Sequence, residues 1–446
     1  RPVNQLLQRA VIGCVAACLG GGIGCVGKKE RTLKILIIGA GAAGLMAAGA
    51  AAHSGHQVTV LEHMQTPAQK ILITGKGRCN LTNDCDVRTF MENVRANPRF
   101  LFSSLSAFTP ADAMALFEKL GVPLKTERGR RVFPQSDRAE DVRRALVNYA
   151  QDARFEHEEA TGLILHEGTN AKGEPCPVCV GAETASGKRF LADAVLVATG
   201  GISYPTTGST GMGYTLAGQA GHTIVEPVPS LVSLYSSDAA CRKMMGLSLK
   251  NVTLTLRQDA RPIFEEMGEM LFTHFGISGP LTLSASSHLG DMKKHKYKAV
   301  LDLKPALDEQ QLYDRITRDF ALLSNHSAQG ALAKLLPASM QPVAVEKWGI
   351  DPATKANQIT REQKQALVHL IKHWEIPITR RGDIEHAVIT GGGVSIREVD
   401  PKTMQSKKCP GLYFAGEVLD VDAYTGGYNL QIAWCTAQAA ARAWNQ

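Results

Sequence analysis

Residues 34–38 (KILII) form a short apolar run, and the chain turns at once through Gly39-Ala40-Gly41-Ala42-Ala43-Gly44 into small residues that reach Ser54. Residues 57–62 (QVTVLE) make a second run that ends in an acid. Strand, glycine turn, helix and strand in this order is a βαβ unit, the minimum device for a parallel sheet. Gly39 permits the tight turn, Gly41 lets backbone approach a pyrophosphate, and Gly44 lets the helix pack closely on the strand. Ala42 and Ala43 fill the first helical turn, whose N–H groups and dipole face the anion. Glu62 stands where a carboxylate accepts ribose hydroxyls and repels a 2′-phosphate. A plain strand–helix turn explains the glycines alone; with Glu62 in place the unit reads as a dinucleotide site. Gly22, Gly24 and Gly27 match the same glycine spacing, but no strand precedes them and KKERT follows.

At 446 residues the chain exceeds one core and should divide into two or three domains. Its formal charge of +7 invites a nucleic-acid reading. Residues 1–32 hold Arg1, Arg9, Lys28, Lys29 and Arg31 against Glu30, however, so +4 of that charge is local and too little remains for a phosphate-tracking stripe. No nucleic-acid partner is expected. Ten cysteines are too sparse and irregular for a disulfide scaffold and suit a reducing cytoplasm. Cys176 and Cys179 have no second pair at zinc-like spacing, so they read as a surface turn and no metal site is assigned. Residues 10–27 carry no charge, and Val15-Ala16-Ala17-Cys18 looks like a lipoprotein cleavage box. Six glycines in that stretch make a poor membrane helix. The expectation is a leader remnant or disordered tail on a cytoplasmic protein with no membrane partner.

Three further segments distinguish FAD from NAD. Leu191–Gly201 is a buried strand ending in Ala198-Thr199-Gly200-Gly201, the A-T-G turn that returns the chain beside the cofactor in two-dinucleotide flavoproteins. PGLYFAGEVLD (410–420) is an apolar strand ending in Gly416-Glu417, with Glu417 where an acid bonds the ribityl and pyrophosphate region and Asp420 a nearby rival. Thr425–Gln431 opens the last helix through Gly426-Gly427, followed by Asn429 and Leu430. Free N–H groups at that helix start can meet the flavin pyrimidine edge and stabilise its reduced anion. Lys70 and the run Thr74–Asn83, with Gly75, Gly77, Arg78, Cys79 and Asn80, supply cations, close backbone and hydrogen-bonding groups. Together these favour FAD, held non-covalently.

LITGKGRCNLTN (72–83), RVFPQSDRAEDV (131–142), ATGGISYPTTGSTGMGYTLAGQAGH (198–222), FTHFGISGP (272–280) and SKKCPGLYFAGEVLDVDAYTGGYNLQIAW (406–434) closely resemble the BaiN/RdsA-type flavoproteins over about residues 33–446. That family includes an aminoacetone oxidase and a reductase of unsaturated bile-acid rings. The resemblance implies an α/β fold: a Rossmann-type, glutathione-reductase-like (GR-like) FAD-binding domain with an inserted β-barrel-like domain and a small helical subdomain. Changes of sequence texture place the FAD domain at 33–206 and 384–446, the β-rich insertion at 207–305 and 373–383, and the helical part at 306–372, after the 1–32 extension. It further implies FAD contacts at Gly39, Gly41, Gly44, Glu62, Lys70, Gly75 to Asn80, Gly416, Glu417 and Gly427 to Leu430, with backbone near Thr161 against the adenine.

The leading function is hydride transfer between flavin N5 and a small organic substrate held between sheet domain and insertion, with NAD(P)H as transient donor or oxygen as redox partner. Tyr204, Tyr214, His274, Tyr424 and Tyr428 are candidates for proton transfer, and none is singled out as catalytic. Two alternatives stay open. A flavin disulfide reductase would place its pair as C-x4-C after the first helix, whereas Cys79 and Cys85 are separated by five residues. A flavin-binding sensor or RNA-associated protein would bind the cofactor without turnover.

Overall fold

The computed structural model describes residues 32–170 and 172–446. The expectations for the tail, the Gly22/Gly24/Gly27 match and the Val15–Cys18 box lie outside the described residues.

Strand β1 (Lys34–Ile38), helix α1 (Ala42–His53) and strand β2 (Gln57–Leu61) form the expected unit. β1 is the middle of a five-stranded parallel sheet in the order Leu412–Phe414, Ala194–Val197, β1, β2, Arg154–Glu156. Ile38 pairs with Val197 on one side and Leu61 on the other, so three strand ends that carry site residues finish level. Both faces of such a sheet are covered, which is why β1 and Ala194–Val197 are continuous apolar runs and not alternating ones.

Helix α1 is buried on nearly every side. Its small residues allow that: a Cβ at Gly44 would lie 1.9 Å from the Gly39 carbonyl oxygen, and one at Gly49 would lie 2.2 Å from the Tyr149 ring. The C-terminal helix Tyr428–Ala443 packs beside α1, with Ile432, Trp434, Ala437 and Ala440 in the same core.

The chain leaves this core through Ile224–Ser230 and returns through Ile389–Val394, which pair as a two-stranded antiparallel ribbon. Between them lies a closed six-stranded barrel, in the order Leu234–Ser236, Gly276–Ser278, Arg261–Thr273, Ser248–Gln258, Tyr297–Asp302, Trp374–Arg381. Helices Glu309–Leu322, Gln341–Trp348 and Arg361–Lys372 occupy the chain between the last two of those strands. Leu312, Ile316, Phe320 and Ile371 share one hydrophobic core with Leu254, Leu301 and Trp374 of the barrel. Lys372 Nζ fastens the two parts, pairing with Asp302 (2.5 Å) and donating to the Leu307 carbonyl (2.7 Å).

Strands Arg154–Glu156 and Ala160–Thr169 belong to different sheets, the first to the parallel sheet and the second to a separate antiparallel one. One local expectation is corrected. Cys176 and Cys179 stand on strand Pro175–Thr184 and not in a surface turn; the Cys179 N–H donates to the Pro410 carbonyl (2.9 Å), and Cys179 is buried.

Candidate cofactor site

An open cleft runs along the C-terminal ends of the parallel strands, the edge where open α/β sheets bind ligands. At one end is the β1–α1 turn. Gly39 has φ +100°, and a Cβ there would lie 2.7 Å from the Ala198 carbonyl oxygen, so the A-T-G turn crowds it directly. Gly41 caps α1 with no side-chain hydrogen bond, whereas Thr109, Asp308 and Thr360 each close the first turn of their own helices. The N–H groups at Ala42, Ala43 and Gly44 therefore keep their donors for an anion. A Cβ on Gly41 would meet only the Ala198 oxygen, at 3.9 Å, so the turn is open where a pyrophosphate would lie. Glu62 closes this end: its carboxylate accepts from the N–H of Ala40 (2.7 Å) and of Met64 (2.8 Å) and lines the cleft.

The middle of the cleft holds a polar network drawn from four distant segments. Lys70 Nζ donates to Glu417 Oε2 (2.8 Å) and Ser203 Oγ (2.7 Å). Glu417 Oε1 accepts from Ser203 Oγ (2.9 Å) and from the Thr390 N–H (2.9 Å). Burial pushes the Glu417 carboxyl up, but the Lys70 ammonium and these hydrogen bonds outweigh it and hold it below the ordinary carboxylate range. Gly416, at φ +77°, leaves room only for a hydrogen where its Cβ would come within 3.0 Å of Ala43, which seats the 416–417 turn on the start of α1. Ser203, although inside the 198–222 segment, and Thr390 are not singled out from the sequence; only the fold shows that they complete the carboxylate.

The far end is the start of the C-terminal helix. Gly427, at φ +95°, caps it without a side chain, and a Cβ there would lie 2.2 Å from the Thr82 carbonyl oxygen. Asn80, with its amide oriented for hydrogen bonding, accepts from the Gly427 N–H (3.0 Å) and donates to the carbonyls of Thr82 (3.1 Å) and Val132 (3.2 Å). Asn429 accepts from the Ala423 N–H (2.9 Å), donates to the Ala423 carbonyl (2.8 Å), and lines the cleft with Leu430. The 75–83 loop and the last helix are thus one structure, tied also by the Trp434 Nε1 bond to the Leu81 carbonyl (3.0 Å).

Of the residues singled out from sequence, Gly39, Gly41, Ala42, Ala43, Glu62, Lys70, Thr199, Gly200, Gly416, Glu417, Asn429 and Leu430 line the cleft. Gly44 is behind the turn, against Gly39. Gly75 (φ +57°) and Gly77 (φ +83°) shape the loop between Thr74, which lines the cleft, and Asn80. Arg78 is engaged elsewhere: its guanidinium pairs with Glu127 (2.8 Å) and Asp137 (3.1 Å) and lies 4.0 Å above the Phe133 ring. Cys79 is buried, and burial pushes its thiol up to about 12. Thr161 is exposed, and its carbonyl accepts from Gln219 (3.4 Å); the cleft wall here is Glu158, Glu159 and Ala160. Thr199 Oγ1 is buried without a hydrogen-bond partner among the described residues, hard against Gly213.

The proton-transfer candidates separate. His274 is exposed, edge-on to Phe275. Tyr204 has φ +51° in a tight turn. Tyr214 is half-buried, with its hydroxyl buried and unpartnered among the described residues, and burial with Glu417 and Asp420 nearby pushes its phenol up. Tyr428 packs edge-on against Phe90 and its phenol is raised to about 12, chiefly by burial. Tyr424 bonds to His288.

These features fit FAD. One bare helix start, at Gly41, suits the pyrophosphate; a second, at Gly427, suits the electron-rich pyrimidine edge; Glu62 and Glu417 are placed for hydroxyl groups of the ribose and ribityl chains. The model for the HI0933-like protein Rossmann domain matches residues 33–443. A 3-dehydro-bile acid delta(4,6)-reductase of Clostridium scindens is 33% identical over 427 residues, 92% of this chain and 98% of the relative. Ribosomal RNA dihydrouridine synthases of Escherichia coli and Haemophilus influenzae are 29% and 30% identical, each covering 91% of this chain and 96% and 97% of their own. With glycine turns, acids and helix starts converging on one cleft, and with matches that span almost the whole described chain, the protein belongs to the HI0933-like Rossmann family and is an FAD-dependent oxidoreductase.

Proposed function

We propose that the protein reduces a carbon–carbon double bond conjugated to a carbonyl group, by hydride transfer at flavin N5, in the cytoplasm, with NAD(P)H as electron donor. The observation that carries this reading is the half-buried Lys70–Glu417–Ser203–Thr390 network, which joins segments far apart in the chain beside one cleft. The relatives' names supply the bond type. One is a reductase of double bonds in a 3-dehydro, hence ketone-bearing, bile acid, and the others make dihydrouridine, the saturated form of a ring whose double bond is conjugated to a carbonyl.

When bound, FAD supplies two-electron chemistry that side chains cannot perform. The chain's own groups set its conditions. The N–H groups at the start of the Tyr428–Ala443 helix stabilise negative charge facing them. Glu417 stays ionised because Lys70 compensates it, so the middle of the cleft is neutral as a pair and does not repel a phosphate-bearing cofactor. A dithiol mechanism finds little support: burial raises Cys79 to about 12 and Cys85 to about 11, and the thiolate is the reactive form.

The test is a two-stage anaerobic experiment on the holoenzyme. NADH or NADPH should bleach the flavin, and a conjugated enone or a uridine-containing oligonucleotide should then restore its colour and gain two hydrogens by mass. A reduced flavin that none of these acceptors reoxidises faster than buffer would refute the reading.

A further inference from the structure

Lys70 is the one lysine or arginine that lines the cleft among the described residues, and its ammonium is engaged by Glu417 at 2.8 Å. A pyrophosphate brings negative charge on both phosphoryl groups, so neutral donors and helix dipoles must meet it. The start of α1 at Gly41 offers one such set. A second lies where helix Met212–Gln219 begins. Its cap, Gly211, has φ +83° and supplies no side-chain hydrogen bond. The Tyr214 N–H donates to the Gly211 carbonyl (3.0 Å), while those of Met212 and Gly213 have no partner among the described residues. Thr210 and Met212, on either side of the cap, both line the cleft.

An independent observation points to a ligand there. Ser209 is only 6% exposed and lines the cleft, and its hydroxyl makes no hydrogen bond among the described residues. A hydroxyl so enclosed costs free energy until an atom in the cleft bonds to it. The packing around it fixes which part of a dinucleotide that atom belongs to. A Cβ on Gly200 would lie 3.4 Å from Ser209 Oγ, and one on Gly213 would lie 2.1 Å from Thr199 Oγ1, so the helix start is seated on the 198–200 turn. The Ala198 carbonyl of that turn also borders Gly41, at 3.9 Å from a Cβ built there. On the other side, a Cβ on Gly208 would lie 2.9 Å from Met64 and 3.3 Å from His63, the residues that follow Glu62. Residues 207–210 thus run from the acid placed for the ribose to the turn beside α1.

We propose that the FAD pyrophosphate is held by two helix starts: that of α1 at Gly41, and that of the Met212–Gln219 helix, whose free N–H groups and neighbouring Ser209 hydroxyl take the phosphoryl group nearer the adenosine. The site is independent of the reaction proposed above, because the adenosine half of the cofactor binds and does no redox chemistry. A hydroxyl donated to an anionic oxygen is worth about tenfold or more in affinity.

The test is FAD retention by the holoenzyme, read from the fluorescence of flavin released on dilution. Ser209→Ala should hold FAD about tenfold or more weakly, and a phosphorus NMR resonance of its bound FAD should move from the wild-type position. Thr210→Asp separates a phosphate site from an idle helix end. A carboxylate beside a helix N-terminus favours the helix, so this change at an exposed position should leave the fold intact while it repels the phosphate and loosens FAD. Thr210→Asn, which lacks the charge, should retain FAD as the wild type does. The Thr210 pair decides the question even if Ser209→Ala folds poorly. Wild-type retention of FAD in Thr210→Asp, or in a folded Ser209→Ala, overturns the site, as does equal loosening by Thr210→Asp and Thr210→Asn.

Discussion

The turn between β1 and α1 is made from residues 39–44, whereas the contact between Tyr424 and His288 joins side chains 136 residues apart in the chain. In the first region backbone meets backbone: the space that Gly44 leaves is bounded by the Gly39 carbonyl, and that of Gly39 by Ala198. In the second, side chains meet across a boundary between two hydrophobic cores, one holding β1 and the C-terminal helix and the other the barrel. A site of backbone contacts admits little variation without loss of the fold. A site of side chains can change its ligand while the fold persists.

The comparison breaks most sharply at the glycines. Gly44→Val places carbon into space where even a Cβ would lie 1.9 Å from a carbonyl oxygen, and Gly427→Ala adds a clash at 2.2 Å to an unfavourable φ of +95°. Each should cost about 3 kcal/mol or more and strip the protein of FAD, read by flavin content and thermal denaturation. Full flavin content in either variant would show that the backbone yields where the account says it cannot.

Next is the half-buried Lys70–Glu417 pair. Lys70→Met leaves Glu417 without its cation and should destabilise by about 3 kcal/mol, much of it recovered in Lys70→Met/Glu417→Leu. The pH dependence has a definite sign. Because the folded-state Glu417 carboxyl is held below its ordinary range, the pair's contribution is complete above an ordinary carboxylate pKa of about 4.3 and is lost as pH falls through the lowered value. Melting curves of wild type and Lys70→Met should therefore converge as the medium is acidified. Divergence would mean that the pair does not hold Glu417 ionised.

A smaller effect belongs to His288. The folded-state His288 is lowered to about 4, so the unfolded chain takes up a proton first, and stability should fall as pH drops from about 6.5 toward 4. His288→Gln should flatten that part of the melting-temperature profile, and an unchanged slope would contradict the neutral imidazole. Arg78→Met should cost only about 1 kcal/mol and leave FAD bound, since its partners Glu127 and Asp137 are partly exposed. Loss of flavin in that variant would instead place the guanidinium in direct service of the cofactor.

What could be read from the chain alone follows the same division. The β1–α1 turn, Glu62 and the Gly426–Gly427 helix start are legible because the conformations they need are dictated within a few residues. The partnership of Lys70 with Glu417, 347 residues away, is not, and neither Ser203 nor Thr390 carries a local sign of its role. Thr161 illustrates a register effect: the strand it belongs to begins at Ala160, so the cleft is met by the residues just before it. Arg78 illustrates another limit of pattern, since a cation in a glycine loop can as well be consumed by neighbouring acids that only the fold brings near. The barrel's closure and its shared core with the inserted helices depend on pairings across the whole 234–381 region, beyond the reach of periodicity.

The central claim is that the cleft joining both parts of the parallel-sheet domain binds FAD without a covalent bond. The direct measurement is the visible spectrum of the purified native protein, followed by acid or heat denaturation and analysis of the supernatant. The account predicts a yellow protein that releases intact FAD on unfolding and, once stripped, takes up added FAD but not FMN. Folded protein that is colourless and takes up no added FAD would contradict it.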